Sequence, residues 1–407
     1  MKLFAFILFI LCAKGATGQN LPAYFEIIAE NNPGLQSKYK EFESALQRTA
    51  QVTSLPEPTL SVGYFISPVE TRVGPQRARF SLTQMFPWFG TLELQGEMAT
   101  LMAEAKFQNF LDYRNQLYYK SSMIYFPLLE LEELLKIGKE NIRILESYKI
   151  ISNVKFQNGK VGMVDVLRVD IMLKKAVADT LILSKKRKPL SANLNLLMNR
   201  DQNTVLTIED SLRVPVIPLY EGDNMFVHNP NIQRLELQGQ ASKKAELLAE
   251  KQRYPKVGAG LDYVMVRKRT DMNLPKNGRD ILMPMVSVSL PIFKEKYKAA
   301  EREAQLMQEA YAFEKKDVTN QLKSRFEMLW YDLETQKDLL NLYNRQTVVT
   351  RQSLDILLTA YGNSGKEFEE LLRMQQELLM FQKQRVKAIN QVNIFLAEID
   401  YITAKAK

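Results

Sequence analysis

The chain has 407 residues, 46% of them hydrophobic and 25% charged, which is the composition of a folding protein and far too polar for a multi-span helical membrane protein. Its formal net charge is +9, but Lys and Glu are interleaved along the chain, a pattern of solvated helix faces rather than a nucleic-acid stripe, so no nucleic acid is expected as partner. One cysteine and one histidine leave almost no raw material for thiolate or imidazole metal sites or for Ser-His and Cys-His catalysis; no enzyme, no cofactor and no metal centre are expected.

Residues 3–11 form the one strongly apolar run, preceded by Lys2 and followed by the small residues Ala16, Thr17 and Gly18. That pattern predicts a signal peptide over residues 1–18, cleaved near Gly18 and Gln19. Bulky Phe9, Ile10 and Leu11 precede Cys12, where a lipid-anchor site needs small residues, so Cys12 is expected to leave with the signal. No later segment reaches the roughly 18 apolar residues of a transmembrane helix.

The rest is written twice, as residues 19–220 and 221–407. Asn32-Pro33 recurs as Asn229-Pro230, 197 residues later, and Pro56 with Tyr64 recurs as Pro255 with Tyr263, 199 residues later. Phe86-Pro87-Trp88-Phe89 recurs as Leu290-Pro291-Ile292-Phe293 at an offset of 204. Phe156, Asn158, Asp165 and Arg168 recur as Tyr361, Asn363, Glu370 and Arg373 at an offset of 205.

In chain order, each Asn-Pro opens a helix, with Asn as N-cap and Pro at the first helical position, where its missing N–H costs nothing. His228 precedes the second of these starts and reads as part of it. Two short alternating segments follow in each half, predicting strands over residues 58–67 and 77–86, then 256–266 and 281–290, in β-hairpins 58–86 and 256–290. Leu60, Val62, Tyr64, Phe80 and Leu82 share one face in the first half, and Leu261, Tyr263, Val286 and Val288 in the second. Each segment has the length of a tilted membrane strand and an apolar face to offer lipid, although a soluble sandwich edge would alternate in the same way. Trp88, Phe89 and Phe293 then stand where a membrane-interface belt would run.

Helical patterns run from about residue 91 to 155 and from 294 to 360, each roughly 95 to 100 Å at 1.5 Å per residue. No globular core is that wide, so such helices must lie along partners in a coiled-coil-like wall, with stripes such as Leu128, Leu131, Leu135 and Ile142. Pro127 is expected to kink the first. Return helices over 162–198 and 366–404 complete helical hairpins 91–198 and 294–404, the Asn-Pro helices making up the missing length end to end. Residues 199–220 read as an equatorial linker. The run Lys185, Lys186, Arg187 and Lys188 reads as a solvated helix end before Pro189. Four strands cannot close a barrel, and open edges in lipid cost several kcal/mol per unsatisfied group. A barrel of around eight strands is filled by its own side chains, so three copies are the smallest ring with a solute path.

In this order and duplicated, Leu55-Pro56-Glu57-Pro58-Thr59-Leu60, Gly74-Pro75-Gln76 and Phe86-Pro87-Trp88-Phe89-Gly90, with the Asn32-Pro33 start, resemble the TolC family of outer-membrane efflux channels across the whole mature chain. The last motif is closest to the branch associated with heavy-metal resistance. The resemblance implies a mainly α fold with a small β part: a homotrimer whose twelve strands close one outer-membrane barrel over a periplasmic tunnel of helices. It also implies a periplasmic adaptor protein and an inner-membrane pump of the resistance-nodulation-division type, with lipid around the barrel. The family closes its tunnel with charged and tyrosine side chains at the far hairpin turns, and the matching positions are Asp165, Tyr361 and Lys366. Lys366 stands where well-known members carry arginine, which loses a bidentate bridge. Asp165 and Lys366 as plain helix caps are the alternative there. A periplasmic structural coiled coil without channel activity is the alternative for the whole chain. Met265, Met272, Met283 and Met285 near the second β-hairpin are either thioethers for a soft cation or apolar filler.

Overall fold

The computed structural model describes residues 20–208, 210–218, 220, 225–272, 274–364 and 368–405. The expected signal segment 1–18 and Lys366 lie outside them. The architecture is mainly α-helical with one small antiparallel sheet.

A helix that the sequence reading did not anticipate, α1 (Leu21–Asn31), comes first, capped by Asn20, whose side-chain oxygen accepts from the Ala23 N–H at 3.2 Å. The Asn-Pro start then opens α2 (Pro33–Thr53), with Asn32 Oδ1 accepting from the Leu35 N–H at 3.1 Å. Asn32 does a second job: its Nδ2 donates to the Leu197 carbonyl at 3.0 Å. Asn229, just before α6 (Pro230–Lys251), repeats that bond, donating to the Ile402 carbonyl at 2.9 Å. Leu197 and Ile402 end the return helices of their halves, so each Asn satisfies an orphan carbonyl at a helix C-terminus.

The strands are β1 (Thr59–Tyr64), the two-residue β2 (Glu70–Thr71), β3 (Gly74–Phe86), β4 (Lys256–Val266) and β5 (Ile281–Ser289). All pairings are antiparallel, in the order β1-β3-β4-β5, with β2 on the start of β3. The two hairpins are therefore joined edge to edge through β3 and β4, and β1 and β5 form the sheet's two edges.

The long helices are α3 (Thr91–Gln157), of 67 residues, and α7 (Lys294–Ser364), of 71. At 1.5 Å per residue each is roughly 100 Å long. Pro127 sits inside α3 without ending it. The first return segment is broken into α4 (Met163–Ser184) and α5 (Arg187–Leu197), whereas the second, α8 (Phe368–Ile402), is continuous. The basic run lies at that break, with Arg187 3.3 Å from Glu132 and Pro189 in the first turn of α5, where no intrahelical N–H is needed.

Contacts divide the described residues into two units, which cut across the two sequence repeats. The first comprises those of Met1–Ser37, Asp112–Asn229 and Asn320–Lys407, and the second those of Lys38–Leu111 and Pro230–Thr319. In the first, Leu145, Val169, Leu354, Leu371, Leu372 and Leu378 form a buried cluster with Tyr148, Tyr361 and Phe368. The linker region has no helix or strand among its described residues, yet it is pinned here. Tyr24 donates to the Thr207 carbonyl, Tyr125 to Asp210, and Tyr220 to Asp400. In the second unit, helix packing beside the sheet is aromatic, with Phe42 on Phe107 at 5.1 Å and Tyr39 on Phe110 at 5.5 Å. Among the described residues no helix is long and apolar enough to cross a membrane.

Candidate functional site

Two places stand out, the faces of the sheet and the turns of the helical hairpins. Residues paired across an antiparallel ladder share a face, so the register sorts every strand residue. One set of rows reads Leu60, Leu82, Leu261, Pro284 and Val62, Phe80, Tyr263, Leu282. Rows on the other face read Ser61, Ser81, Asp262, Met283 and Thr59, Thr83, Gly260, Met285. Along β4 exposure alternates: Val257, Ala259, Leu261, Tyr263 and Met265 are exposed, whereas Gly258, Asp262, Val264 and Val266 are buried. Val62 is 65% exposed and Val286 78%. Leu60, Tyr64, Leu82 and Val288 are exposed as well, and Phe80 is half-buried.

On the opposite face the packing is close around β4, where small residues meet the neighbouring strands. A Cβ on Gly258 would come within 2.5 Å of Met85 Sδ. Asp262 is fully buried there, accepting from the Ser81 hydroxyl and paired with the Arg79 guanidinium on β3. Neither outer edge, that of β1 nor that of β5, has a strand partner among the described residues.

The aromatic residues expected at the sheet's end divide in role. Trp88 stacks on Tyr254 with ring centroids 5.0 Å apart, while Phe89 and Phe293 are 84% and 77% exposed. The four methionines do not converge. Met265 pairs with Ala78 on the apolar face, Met283 and Met285 lie in rows of the opposite face, and Met272 is beyond the end of β4. The register therefore corrects the idea of a thioether cluster, and among the described residues no group of three or more His, Cys, Asp or Glu is placed to hold a metal ion.

At the hairpin turns, Tyr361 is 1% exposed and stacks on Phe368 at 4.5 Å. Lys155, near the end of α3, sets its ammonium 4.9 Å from the Tyr361 ring centroid and donates to the Gly362 carbonyl at 2.9 Å. Burial, and secondarily the charge of Asp165, push the Tyr361 phenol up to about 12. Its hydroxyl is buried with no hydrogen-bond partner among the described residues. Asp165 sits in the first turn of α4, 3.9 Å from Arg168, which reaches Glu369 of α8 at 2.9 Å. Asp165 and Tyr361 are thus brought together; Lys366, outside the described residues, cannot be added. Lys155 and Glu369 escaped the sequence reading. The available signal was adjacency: Lys155 precedes the repeat landmark Phe156, and Glu369 precedes Glu370, the repeat mate of Asp165.

No known family profile matches the chain, and no curated protein does either. Solved structures do. The outer-membrane channel OprN is similar with a TM-score of 0.76 and 16% identity, over 94% of this chain and 89% of that one. The outer membrane protein VceC from Vibrio cholerae gives 0.73 and 14%, over 94% and 95% of the two chains. The Neisseria gonorrhoeae MtrE outer membrane channel, in its open state, gives 0.74 and 16%, over 94% and 88%. With nearly the whole of each chain superposed at such low identity, what is shared is the backbone architecture: this chain has the fold of these outer-membrane proteins.

Proposed function

We propose that the chain is one protomer of a TolC-like outer-membrane efflux channel, a passive conduit in which three copies close a twelve-stranded barrel over a periplasmic tunnel of helices. The observation that carries this reading is the polarity of the sheet. One face is apolar and exposed, while the opposite face carries Ser, Thr, Gly and a buried, paired Asp262 among Val264, Val266, Met283 and Met285, so it is not the uniform apolar face of a sheet on a water-soluble core. Lipid outside and a polar lumen inside account for both faces, and neighbouring copies account for the unpartnered edges of β1 and β5. The sequence resemblance implies a periplasmic adaptor, a resistance-nodulation-division pump and heavy-metal cations as cargo, with drugs, dyes or peptides as the alternative cargo.

In this reading Asp165, Tyr361 and Lys366 lie at the periplasmic mouth and constrict it. An exposed ion pair is worth about 0 to 1 kcal/mol, so no single bridge holds the mouth shut. Three symmetry-related sets together can, and a docking adaptor need only offset their modest sum. The test starts with detergent extraction from membranes: a heat-resistant trimer is expected, whereas extraction as a soluble protein would favour the periplasmic coiled coil. In planar bilayers the double variant Asp165→Ala, Lys366→Ala should conduct more than the parent with the trimer intact. High salt should mimic it in the parent, since exposed pairs are screened within about 10 Å at 0.1 M. Conductance that stays at the parent level, corrected for the bulk solution, moves the constriction elsewhere.

A further inference from the structure

The two β-hairpin tips are stitched into one platform. The Gly278 N–H donates to the Val73 carbonyl at 2.7 Å and the Arg267 N–H to the Pro75 carbonyl at 2.8 Å. Asn277 closes its own turn, accepting from the Arg269 N–H at 2.8 Å and donating back to the Arg269 carbonyl at 3.0 Å. Gly74, at φ +130°, lies so close to the Arg267 carbonyl that a Cβ would sit 1.8 Å from it, so no other residue fits this junction.

The platform is strongly cationic. Arg72, Arg77, Arg267, Lys268, Lys276 and Arg279 are all exposed, and none pairs with a carboxylate among the described residues. The acidic residues of the same segments are mostly committed elsewhere. Asp271 is held by Arg269 at 2.7 Å, and Asp280 accepts from the Tyr263 hydroxyl and from the Val266 N–H at 2.9 Å. Glu70 lies close enough to Arg269 to raise the guanidinium pKa, after the larger effect of Asp271.

Where these cations begin is informative. On β4 the exposed row runs Val257, Ala259, Leu261, Tyr263, Met265, and the next position of the same parity is Arg267. The apolar row is roughly 26 Å long at about 3.3 Å per residue, close to the roughly 25 Å apolar band of an outer-membrane barrel. Arg267 then falls about 7 Å beyond Met265, at the depth of headgroups rather than acyl chains.

We infer that this platform binds the phosphate groups of lipid headgroups in the membrane leaflet at the hairpin end of the sheet. The inference rests on the membrane reading above. Phosphate is the matching chemistry because it offers strong acceptors to several guanidinium and ammonium groups at once. Lipid is the matching source because Arg267 continues the apolar row instead of the covered face.

The test uses the full chain in mild detergent, with native mass spectrometry and three probes: diphosphoryl lipid A, the same lipid stripped of phosphate, and inorganic pyrophosphate. The wild-type trimer should bind the phosphorylated lipid about tenfold or more tightly than the stripped one, and lose that preference at about 0.5 M NaCl. Replacing all six cations by Gln should abolish the preference while leaving a heat-resistant trimer; if that variant fails to assemble, the wild-type probes decide alone. Equal affinity for the two lipids in the wild type, or an undiminished preference in an assembled variant, overturns the inference. Pyrophosphate bound as tightly as the lipid overturns it too, by assigning the platform to free anions. A wild-type chain that forms no trimer sinks the membrane reading and this inference together, whereas a trimer indifferent to phosphate sinks only the inference.

Discussion

The sheet of the second unit and the helical core of the first spend the same residue types in opposite directions. In the helices Leu371 and Val169 are 0% exposed, packed with Leu145 and Phe368, while in the sheet Val62 is 65% exposed and Val286 78%. The helical core also encloses polar groups, such as Gln375 with Asn141, while the sheet encloses Asp262 with Ser81 and Arg79. Burying apolar surface is worth roughly 25 cal/mol per Å² only where the alternative is water. The helices display apolar side chains too, such as Ile171 and Ile356, but only the sheet gathers them into continuous rows on one face, which is what the proposed lipid contact requires.

Identical truncations in the two regions should separate them most sharply. Leu371→Ala opens a cavity in a packed cluster and should cost about 2–5 kcal/mol in urea denaturation of the detergent-solubilised protein. Leu60→Ala, on the exposed face, leaves no cavity and should fall well below that range. Equal losses would mean that the sheet face is covered by protein in the assembly. Next in size, if the proposed orientation holds, Leu82→Arg or Val288→Arg places a charge against lipid at a cost of about 2–4 kcal/mol near the bilayer midplane and should block trimer recovery from membranes. Normal trimer yield from both variants would return the sheet to water.

The smallest effect concerns Tyr361, the one aromatic of the helical core whose buried hydroxyl lacks a partner among the described residues. Tyr361→Phe should be neutral or stabilising by about 1 kcal/mol at neutral pH, because an unsatisfied buried hydroxyl is removed. The folded state raises the phenol from 10.0 to about 12 and so holds its proton more tightly than the unfolded chain does. Its contribution is full below pH 10 and is lost as pH rises through about 12. Denaturation midpoints measured from neutral into that window should fall faster for the parent than for the Phe variant. A clearly destabilised Phe variant would instead show that another protomer satisfies the hydroxyl.

Local chemistry made much of this fold legible. The strands β1, β3, β4 and β5 fall within a few residues of the expected segments because alternation and Pro/Gly punctuation act over a few residues, and Asn-Pro marks its helix start by its own dihedral preference. The helix α1 was missed because it precedes that landmark and carries its own cap at Asn20. Asp165 and Tyr361 could be named from the repeat, but their neighbours could not. Lys155 meets Gly362 across 207 residues, and Arg168 meets Glu369 across two helices, contacts that no local pattern encodes.

By itself, then, the sequence determined the periods: 3.6 for the long helices, two for the strands, and the half-chain repeat that sets them in order. Tertiary structure alone decided which strands are neighbours, and with that which face each residue joins. Pairing β3 with β4 puts Asp262 against Ser81 and Arg79 and welds two distant turns into one cationic platform, while pairing β4 with β5 separates Met265 from Met283 and Met285. The reason is geometric: side chains alternate every residue, so each strand's parity is written locally, but the register between strands is set by contacts nearly two hundred residues apart.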